Sequence, residues 1–218
     1  MMKVYADPIT INCRKVLAGL ALLNAPYERV HVDYFKGEQK DAAFTVLNPN
    51  ASLPALVDGE LVLWESNAIL QYAADKVSAE SAYPRDLQTR ADINRWLLWE
   101  SSSWFPSCYV YLVENCVKPL LGSHPHAAVL DAQAAQFHKL AGILDARLAD
   151  RQWIATGHPT IADIALAAPM HLHGWASLPI ADHPNLKRWL TESVEALPCW
   201  QQTWVGEGFI TERAALAA

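Results

Sequence analysis

Thr10 and Asn12 are the first side chains in the chain that are placed to act on a ligand. They lie between a β-prone run at residues 3–6 and an amphipathic helical pattern that follows. Ligands of open α/β sheets bind at the carboxyl ends of strands, and the unpaired N–H groups of a helix start favour an anion. The segment therefore predicts an anion site. Thr10 or Asn12 acting only as a helix cap is an equally good interpretation, and both stay open at this point.

A second candidate is Glu65-Ser66, which also stands where a strand passes into a helix. The Ser66 hydroxyl and the first N–H groups of the helix together would accept a carboxylate. Glu65 beside it would receive an ammonium group, so the pair predicts a site for the head group of an α-amino acid. A serine that only caps its helix is the competing interpretation.

The third candidate is Leu53-Pro54, at the opening of a short strand. Proline in this position removes a hydrogen-bond donor from the strand ladder. If the bond is cis, the N–H and C=O of Leu53 turn outward and are free to pair with an extended peptide. The sequence alone leaves the isomer open.

A small α/β unit is predicted to position these three segments. A β-α-β beginning requires a parallel strand pair with a right-handed crossover, and a later hairpin around Asp58-Gly59 adds antiparallel strands. The result is a mixed sheet covered by helices. The predicted elements are strands at residues 3–6, 27–33, 53–57 and 60–64, helices at 13–24 and 66–76, and a short helix within 35–43.

Beyond residue 77 the pattern changes from mixed to helical. Residues 78–87 are small, polar and interrupted by proline, which is typical of a linker. Thr160 and Asp163 form a variant of the capping box at the start of one later helix. The sequence thus predicts a domain at 1–77, a linker at 78–87 and an all-helical domain at 88–218. The helical patterns run over residues 90–104 and onward past Pro106 with a kink, 127–150, 160–168 and 185–196.

Composition excludes several classes of function. The 218 residues are 52% hydrophobic and 18% charged, with a net charge of −6, which is typical of a folded globular chain. Residues 1–80 carry 7 basic and 10 acidic side chains and the remainder 10 and 13, so neither part has the basic excess of a nucleic-acid surface. The longest uncharged stretch, 164–181, contains two prolines and is not a membrane span. With no visible secretory signal, we expect a cytoplasmic protein.

Most signatures of other chemistries are missing from the sequence. The four cysteines have no short paired spacing, which argues against a zinc knuckle or a disulfide scaffold. His171 and His173 are two residues apart on a predicted helix and point about 200° apart, so they cannot chelate one ion. We therefore predict no metal site.

The three candidate segments occur together and in order, and with them the chain resembles a cytosolic glutathione S-transferase over essentially its whole length. The first half is most similar to the plant phi class and its bacterial relatives. The resemblance implies a thioredoxin-like domain, an all-helical domain, and usually a homodimer with the active site between the domains. The segments that carry it are KVY at 3–5, PITINCRKV at 8–16, NPNASLPAL at 48–56, LVLWESNAI at 61–69 and TIAD at 160–163.

The resemblance also implies a role for each matching residue. The catalytic hydroxyl of phi-like members falls on Thr10, where beta-class members have a cysteine, and Asn12 is beside it. Glutathione is the co-substrate, with no metal or redox cofactor. Its γ-glutamyl head would be held by Glu65 and Ser66, its cysteinyl part by the backbone of Leu53 ahead of a cis Pro54, and its glycyl end near Gln39 and Lys40, with Ser52 where many members have a longer amide side chain.

A hydroxyl at Thr10 suits this chemistry because a hydrogen bond to sulfur favours the thiolate, the reactive form of a thiol. If the rotamer of Thr10 does not reach the sulfur, the thiolate relies on backbone N–H groups and Asn12. A hydrophobic electrophile would then lie over the sulfur. The predicted wall of its site consists of Ile9 and Ile11 from the loop and of Trp104, Ser107 and Tyr111 from the first long helix of the second domain.

The leading prediction is conjugation of the glutathione thiolate to a small hydrophobic electrophile. Two alternatives remain: a glutathione-dependent isomerase or reductase, and a non-catalytic module that binds glutathione or another ligand. The expected partners are glutathione, the electrophile and a second copy of the chain, without nucleic acid or membrane.

Overall fold

The computed structural model describes residues 1–217, which form two compact units. The first unit contains residues 1–84 together with the segment from 199 onward, and the second contains residues 85–198. The sequence-based boundaries grouped everything after residue 87 into one helical domain, whereas here the carboxyl-terminal segment lies in the first unit.

The first unit begins with the predicted β-α-β arrangement and continues with the hairpin and a helix. A 3₁₀ turn at Glu38–Lys40 supplies part of the short helical stretch expected between the second and third strands. The elements are β1 (Met2–Ala6), α1 (Ile11–Leu22), β2 (Tyr27–His31), α2 (Ala42–Thr45), β3 (Ala55–Asp58), β4 (Leu61–Trp64) and α3 (Ser66–Lys76).

Within residues 1–217 these strands make a mixed sheet in the order β2-β1-β3-β4. β1 and β2 are parallel, with Ala6 opposite His31, while β3 is antiparallel to both β1 and β4. The predicted mixed sheet is therefore confirmed. Since Asp58 pairs with Leu61, the hairpin turn is Gly59-Glu60, one residue later than expected. Gly59 has a φ of 62°, the left-handed conformation that tight hairpin turns require.

This strand order brings all the candidate segments to one edge of the sheet. Because β1, β2 and β4 run in the same direction, their carboxyl ends meet at that edge, and the antiparallel β3 starts there. The loops at Asp7–Thr10, Asp33–Lys40 and Glu65-Ser66 follow the three carboxyl ends, and Leu53-Pro54 precedes β3.

α1 and α3 pack against each other and bury the apolar stripes expected from the sequence. Val16, Leu20, Ile69 and Ala73 are all fully buried. The two helices approach closely at Gly19, where a Cβ would collide with the side chain of Leu70. This contact holds together the two helices whose first residues are candidate site residues.

The second unit is helical, as predicted. A run of helical segments from residue 87 to 120 passes Pro106 through a π-helical turn at Glu100–Trp104, and Pro106 lies in the first turn of the next helix. No helix within residues 1–217 is both long and apolar enough to cross a membrane. The elements are α4 (Leu87–Trp99), α5 (Phe105–Leu112), α6 (Lys118–Leu120), α7 (Ala127–Arg147), α8 (Ile161–Ala167) and α9 (Pro184–Arg188). α10 (Pro198–Gln201) begins at the last residue of this unit, and α11 (Glu207–Ala217) belongs to the first unit.

The predicted capping box at the start of α8 is complete. The Thr160 hydroxyl accepts from the N–H of Ala162 at 3.3 Å, and the Asp163 carboxylate accepts from the N–H of Thr160 at 2.9 Å. Asp163 is fully buried and also accepts from the N–H of Ile154 and from the indole of Trp189. This carboxylate therefore organises the core of the second unit.

Candidate active site

Thr10 occupies the N-cap position of α1, but in the described chain its side chain makes no capping hydrogen bond. Its hydroxyl instead donates to the backbone oxygen of Asp7 at 3.2 Å and is partly exposed. The structure therefore does not support the interpretation that the Thr10 side chain simply caps the helix. The hydrogen bond to Asp7 is long, and a better acceptor can replace it.

A chain of hydrogen bonds joins the start of α1 to the start of α3. The Ser66 hydroxyl donates to Oδ1 of Asn12 at 3.3 Å, and the ammonium group of Lys15 donates to the Ser66 oxygen at 3.1 Å. Asn12 and Ser66 are 54 residues apart in sequence. The structure thus brings together two of the segments that the sequence singled out.

Ser66 is the first residue of α3, and Glu65 occupies its N-cap position. Among the described residues no side chain caps this helix, so the interpretation of Ser66 as the cap is wrong. Glu65 has a φ of 72°, a conformation that costs an L-residue about 1–3 kcal/mol and clusters at binding sites. The buried hydroxyl of Ser66 and the exposed carboxylate of Glu65 lie next to the first N–H groups of the helix.

Lys15 adds a charge to this helix start. Its side chain is 1% exposed, so its ammonium group lies in protein rather than in water. A buried cation beside the N-terminus of a helix makes the Ser66 site electropositive. The sequence analysis missed Lys15, although Arg14 and Lys15 are the only charged residues between Asp7 and Glu28. A charged side chain in such an apolar helix requires a partner in the fold, and this was the signal by which Lys15 could have been found.

The Leu53-Pro54 peptide bond is cis, which answers the question left open by the sequence. Leu53 is buried and stands outside the strand ladder, which begins at Ala55. The preceding residue, Ser52, is exposed and its carbonyl accepts from Nδ2 of Asn48 at 2.7 Å. Asn48 is 1% exposed and also accepts from the N–H of Asn50. Sequence reasoning missed this buried amide, which shapes the turn before Leu53.

Gln39 and Lys40 lie on the 3₁₀ turn of the loop that follows β2. Gln39 is 5% exposed, and within residues 1–217 its Oε1 has no hydrogen-bond partner. Lys40 is exposed. The loop is tied to the Thr10 segment because the N–H of Tyr34 donates to the carboxylate of Asp7 at 3.0 Å.

Ile9 and Ile11, the first two residues expected to contact a hydrophobic substrate, are mostly buried, with 8% and 5% exposure. Trp104, Ser107 and Tyr111 lie in the core of the second unit. Trp104 is fully buried and donates its indole N–H to the carbonyl of Leu166, Ser107 accepts from Gln133, and Tyr111 packs edge-on against Phe137. Their assignment to a substrate wall stays a prediction.

Cys13 is close to Thr10 but is not a reactive thiol. Burial raises the pKa of Cys13 to about 12, although a hydrogen bond with Thr10 works in the opposite direction. The thiol is therefore neutral and has no exposed surface. Since nucleophilic cysteines are exposed thiolates, Cys13 is not a candidate nucleophile.

Comparison with known proteins agrees with this arrangement. Residues 1–75 match the family model of the glutathione S-transferase N-terminal domain, and residues 127–192 match that of the C-terminal domain. The chain is 34% identical to glutathione S-transferase 3 of Zea mays over 209 residues, which cover 93% of this chain and 92% of the relative.

Solved structures extend the likeness to the fold. Glutathione transferase F7 from Populus trichocarpa superimposes with a TM-score of 0.85 at 27% identity, covering 93% of this chain and 97% of the other. The theta class glutathione S-transferase from Xanthomonas axonopodis pv. citri, solved with glutathione bound, has a TM-score of 0.83 at 28% identity, with 94% and 97% covered.

Proposed function

Because this chain belongs to the glutathione S-transferase family, we propose that it transfers the thiolate of glutathione to a small hydrophobic electrophile. The observation that carries the proposal is the contact of Lys15, Ser66 and Asn12, which joins a carboxylate-binding helix start to the loop of Thr10.

The γ-glutamyl head group of glutathione carries a carboxylate and an ammonium group, and each finds a complement at the start of α3. We assign the carboxylate to the Ser66 hydroxyl and the first N–H groups of the helix. The buried charge of Lys15 strengthens this attraction. The ammonium group is assigned to the exposed carboxylate of Glu65.

The remainder of the tripeptide extends along the same edge of the sheet. The cysteinyl part pairs with the backbone of Leu53 ahead of Pro54, with Ser52 alongside. The glycyl carboxylate is assigned to the Lys40 ammonium and the Gln39 amide, whose buried side chain offers an unused hydrogen-bonding atom.

Thr10 supplies the chemistry. A free thiol has a pKa of about 8.5, so only a few per cent is ionised at neutral pH. When the Thr10 hydroxyl turns from Asp7 to the sulfur, its hydrogen bond favours the thiolate and lowers the pKa of the thiol. The proton leaves to solvent, the sulfur forms a bond to the electrophilic carbon, and the leaving group departs with its electron pair. Asn12 provides a second polar group beside the sulfur.

Further parts of the proposal rest on the family alone. We assign glutathione binding to the domain at 1–77 and the electrophile to the helical part of the chain. Its binding residues are proposed to be Ile9, Ile11, Trp104, Ser107 and Tyr111. A homodimer in the cytoplasm completes the picture, with a role in detoxification.

The test combines turnover with binding. Initial rates are measured with glutathione and a panel of halides, epoxides and enones, and thermal unfolding is followed as glutathione is titrated. We expect saturable, glutathione-dependent turnover and a rise in Tm. Cysteinylglycine, which lacks the γ-glutamyl group, is the matched control and should give neither effect at equal concentration.

Absence of both turnover and stabilisation at millimolar glutathione would overturn the proposal. Stabilisation without turnover of any electrophile would instead favour a non-catalytic binding module.

A further inference from the structure

An ion-pair network in the first unit connects α11 to the loop of Thr10. The guanidinium group of Arg213 donates to both carboxylate oxygens of Asp7, at 3.2 and 3.1 Å. It also lies 3.0 Å from Oδ1 of Asp33. The side chain of Asp7 has no exposed surface, and that of Arg213 is 18% exposed.

Asp7, which contacts Arg213, also forms hydrogen bonds with both loops at the candidate site. Its carboxylate accepts from the N–H of Ile9 at 3.3 Å and from the N–H of Tyr34 at 3.0 Å. Its backbone carbonyl accepts from both the N–H and the hydroxyl of Thr10, at 3.1 and 3.2 Å. One buried residue therefore positions the Thr10 hydroxyl and the beginning of the loop that carries Gln39.

A second contact seats the carboxyl-terminal segment independently. Arg14 of α1 is fully buried and donates to the carbonyls of Thr203 and Trp200, at 2.9 and 3.1 Å. Its guanidinium lies 4.3 Å from the ring centre of Trp200. The segment that leads into α11 is thus held by contacts that involve neither Arg213 nor Asp7.

We propose that Arg213 is a positioning residue for glutathione conjugation, acting through Asp7 on Thr10 and through Asp7 and Asp33 on the loop of Gln39 and Lys40. This inference rests on the proposed function. Without the guanidinium group, a buried carboxylate loses its counter-charge and has to draw water or a proton. Either change displaces the Asp7 carbonyl that accepts from the N–H of Thr10, and with it the backbone from which the Thr10 hydroxyl reaches the sulfur. Small displacements of a group at the reacting atom are costly in rate.

The experiment compares four variants with the wild-type chain. Arg213→Met keeps the length of the side chain without its charge, and Arg213→Lys restores the charge without the forked geometry. Asp33→Asn weakens the second carboxylate contact of Arg213, together with the contacts of Asp33 with Lys36, and leaves Asp7 unchanged. Glu212→Gln, an exposed neighbour on the same helix, is the matched control. The readouts are the pH dependence of kcat/KM, the ultraviolet absorbance of the thiolate in the glutathione complex, and Tm.

We expect Arg213→Met to raise the apparent pKa of the bound thiol and to lower kcat/KM about tenfold or more at pH values below it. Arg213→Lys should recover part of both losses. Asp33→Asn should raise the KM for glutathione while leaving the apparent pKa of the thiol unchanged. Glu212→Gln should match the wild type.

An active wild type and a folded Arg213→Met with unchanged pKa and kcat/KM would overturn the inference, even if its Tm falls. If Arg213→Met does not fold, Arg213→Lys decides: a raised thiol pKa supports positioning, and a wild-type pKa overturns it. A wild type without glutathione-dependent turnover overturns the proposed function and this inference with it.

Discussion

Thr10 and Thr160 occupy the same position, the N-cap of a helix, yet the two units use them in opposite ways. Thr160 is fully buried, its hydroxyl accepts from the helix N–H and donates to Asp163 at 2.9 Å, and no part of it faces a ligand. Thr10 is partly exposed, and its hydroxyl donates to the carbonyl of Asp7 and contacts the thiol of Cys13. The difference in partners, not in residue type, separates a structural threonine from the one that we propose binds sulfur.

Two more helix starts of the second unit are bound by a side-chain carboxylate, whereas α7 has no side-chain cap in the described part of the chain. In the second unit the carboxylate of Asp86 accepts from the N–H of Thr89 at the start of α4, and that of Asp145 accepts from the N–H of Asn185 at the start of α9. In the first unit, within residues 1–217, the starts of α1 and α3 have no side-chain cap. A helix start without a side-chain cap is the kind of site that binds an anionic ligand.

The largest effect on this comparison is expected from Asp163→Ala. The substitution orphans buried donors at Ile154, Thr160 and Trp189, and each orphaned group costs about 1–3 kcal/mol. We expect the free energy of unfolding, measured in urea, to fall by about 3 kcal/mol or more. Asp150→Ala, at an exposed carboxylate of the same unit, is the control. If the free energy of unfolding falls no more than in the control, the structural role assigned to Asp163 is contradicted.

Ser66→Ala tests the binding side of the comparison. Loss of a hydrogen bond to a charged group costs about 1.5–3 kcal/mol, so the KM for glutathione should rise about tenfold or more. The kcat value should change little, because Ser66 is assigned to the head group rather than to the sulfur. Steady-state kinetics measure both constants, with exposed Ser101→Ala as control. An unchanged KM would mean that the head group of glutathione binds at residues other than Ser66.

Thr160→Ala should have a smaller effect, on stability alone. Removing a capping hydroxyl costs about 1–2 kcal/mol of the free energy of unfolding. The apparent pKa of bound glutathione should stay at its wild-type value, since the Thr160 hydroxyl is satisfied within the core of its own unit. A shift in that pKa would contradict the assignment of Thr160 to stability alone.

The smallest effect concerns acid stability at the sheet end opposite Thr10. The hydrogen bond from Lys76, followed by that from Tyr72, lowers the pKa of Asp58. A lowered folded pKa means that this contribution to stability is full above the unfolded value of about 3.9 and is lost as pH falls through the folded value. Asp58→Asn should therefore flatten the acid limb of unfolding free energy against pH, without moving the thiol pKa. An unchanged acid limb would contradict this.

The sequence predicted the fold because its patterns are local. Val16 and Leu20 mark a helix, Asp58-Gly59 marks a turn, and Thr160 with Asp163 marks a helix start, each within a few residues. The hairpin turn was predicted one residue too early, because strand pairing rather than the Asp58-Gly59 dipeptide defines which two residues form the turn.

The site was predicted in part. Thr10, Asn12 and Ser66 were singled out, and the contact between Asn12 and Ser66 brings two of them together. Lys15, Asn48 and Arg213 were missed because their roles depend on partners that the fold brings close. Arg213 meets Asp7 across 206 residues, a contact that no local pattern encodes.

The central claim is that the partly exposed hydroxyl of Thr10 stabilises the thiolate of bound glutathione. The most direct measurement is the apparent pKa of that thiol, from thiolate absorbance against pH, in the wild type, Thr10→Ser and Thr10→Val. The account predicts that Thr10→Val raises this pKa toward the value of a free thiol, about 8.5, while Thr10→Ser retains the wild-type value. A wild-type pKa in Thr10→Val would contradict it and would assign the thiolate to Asn12 and the backbone N–H groups.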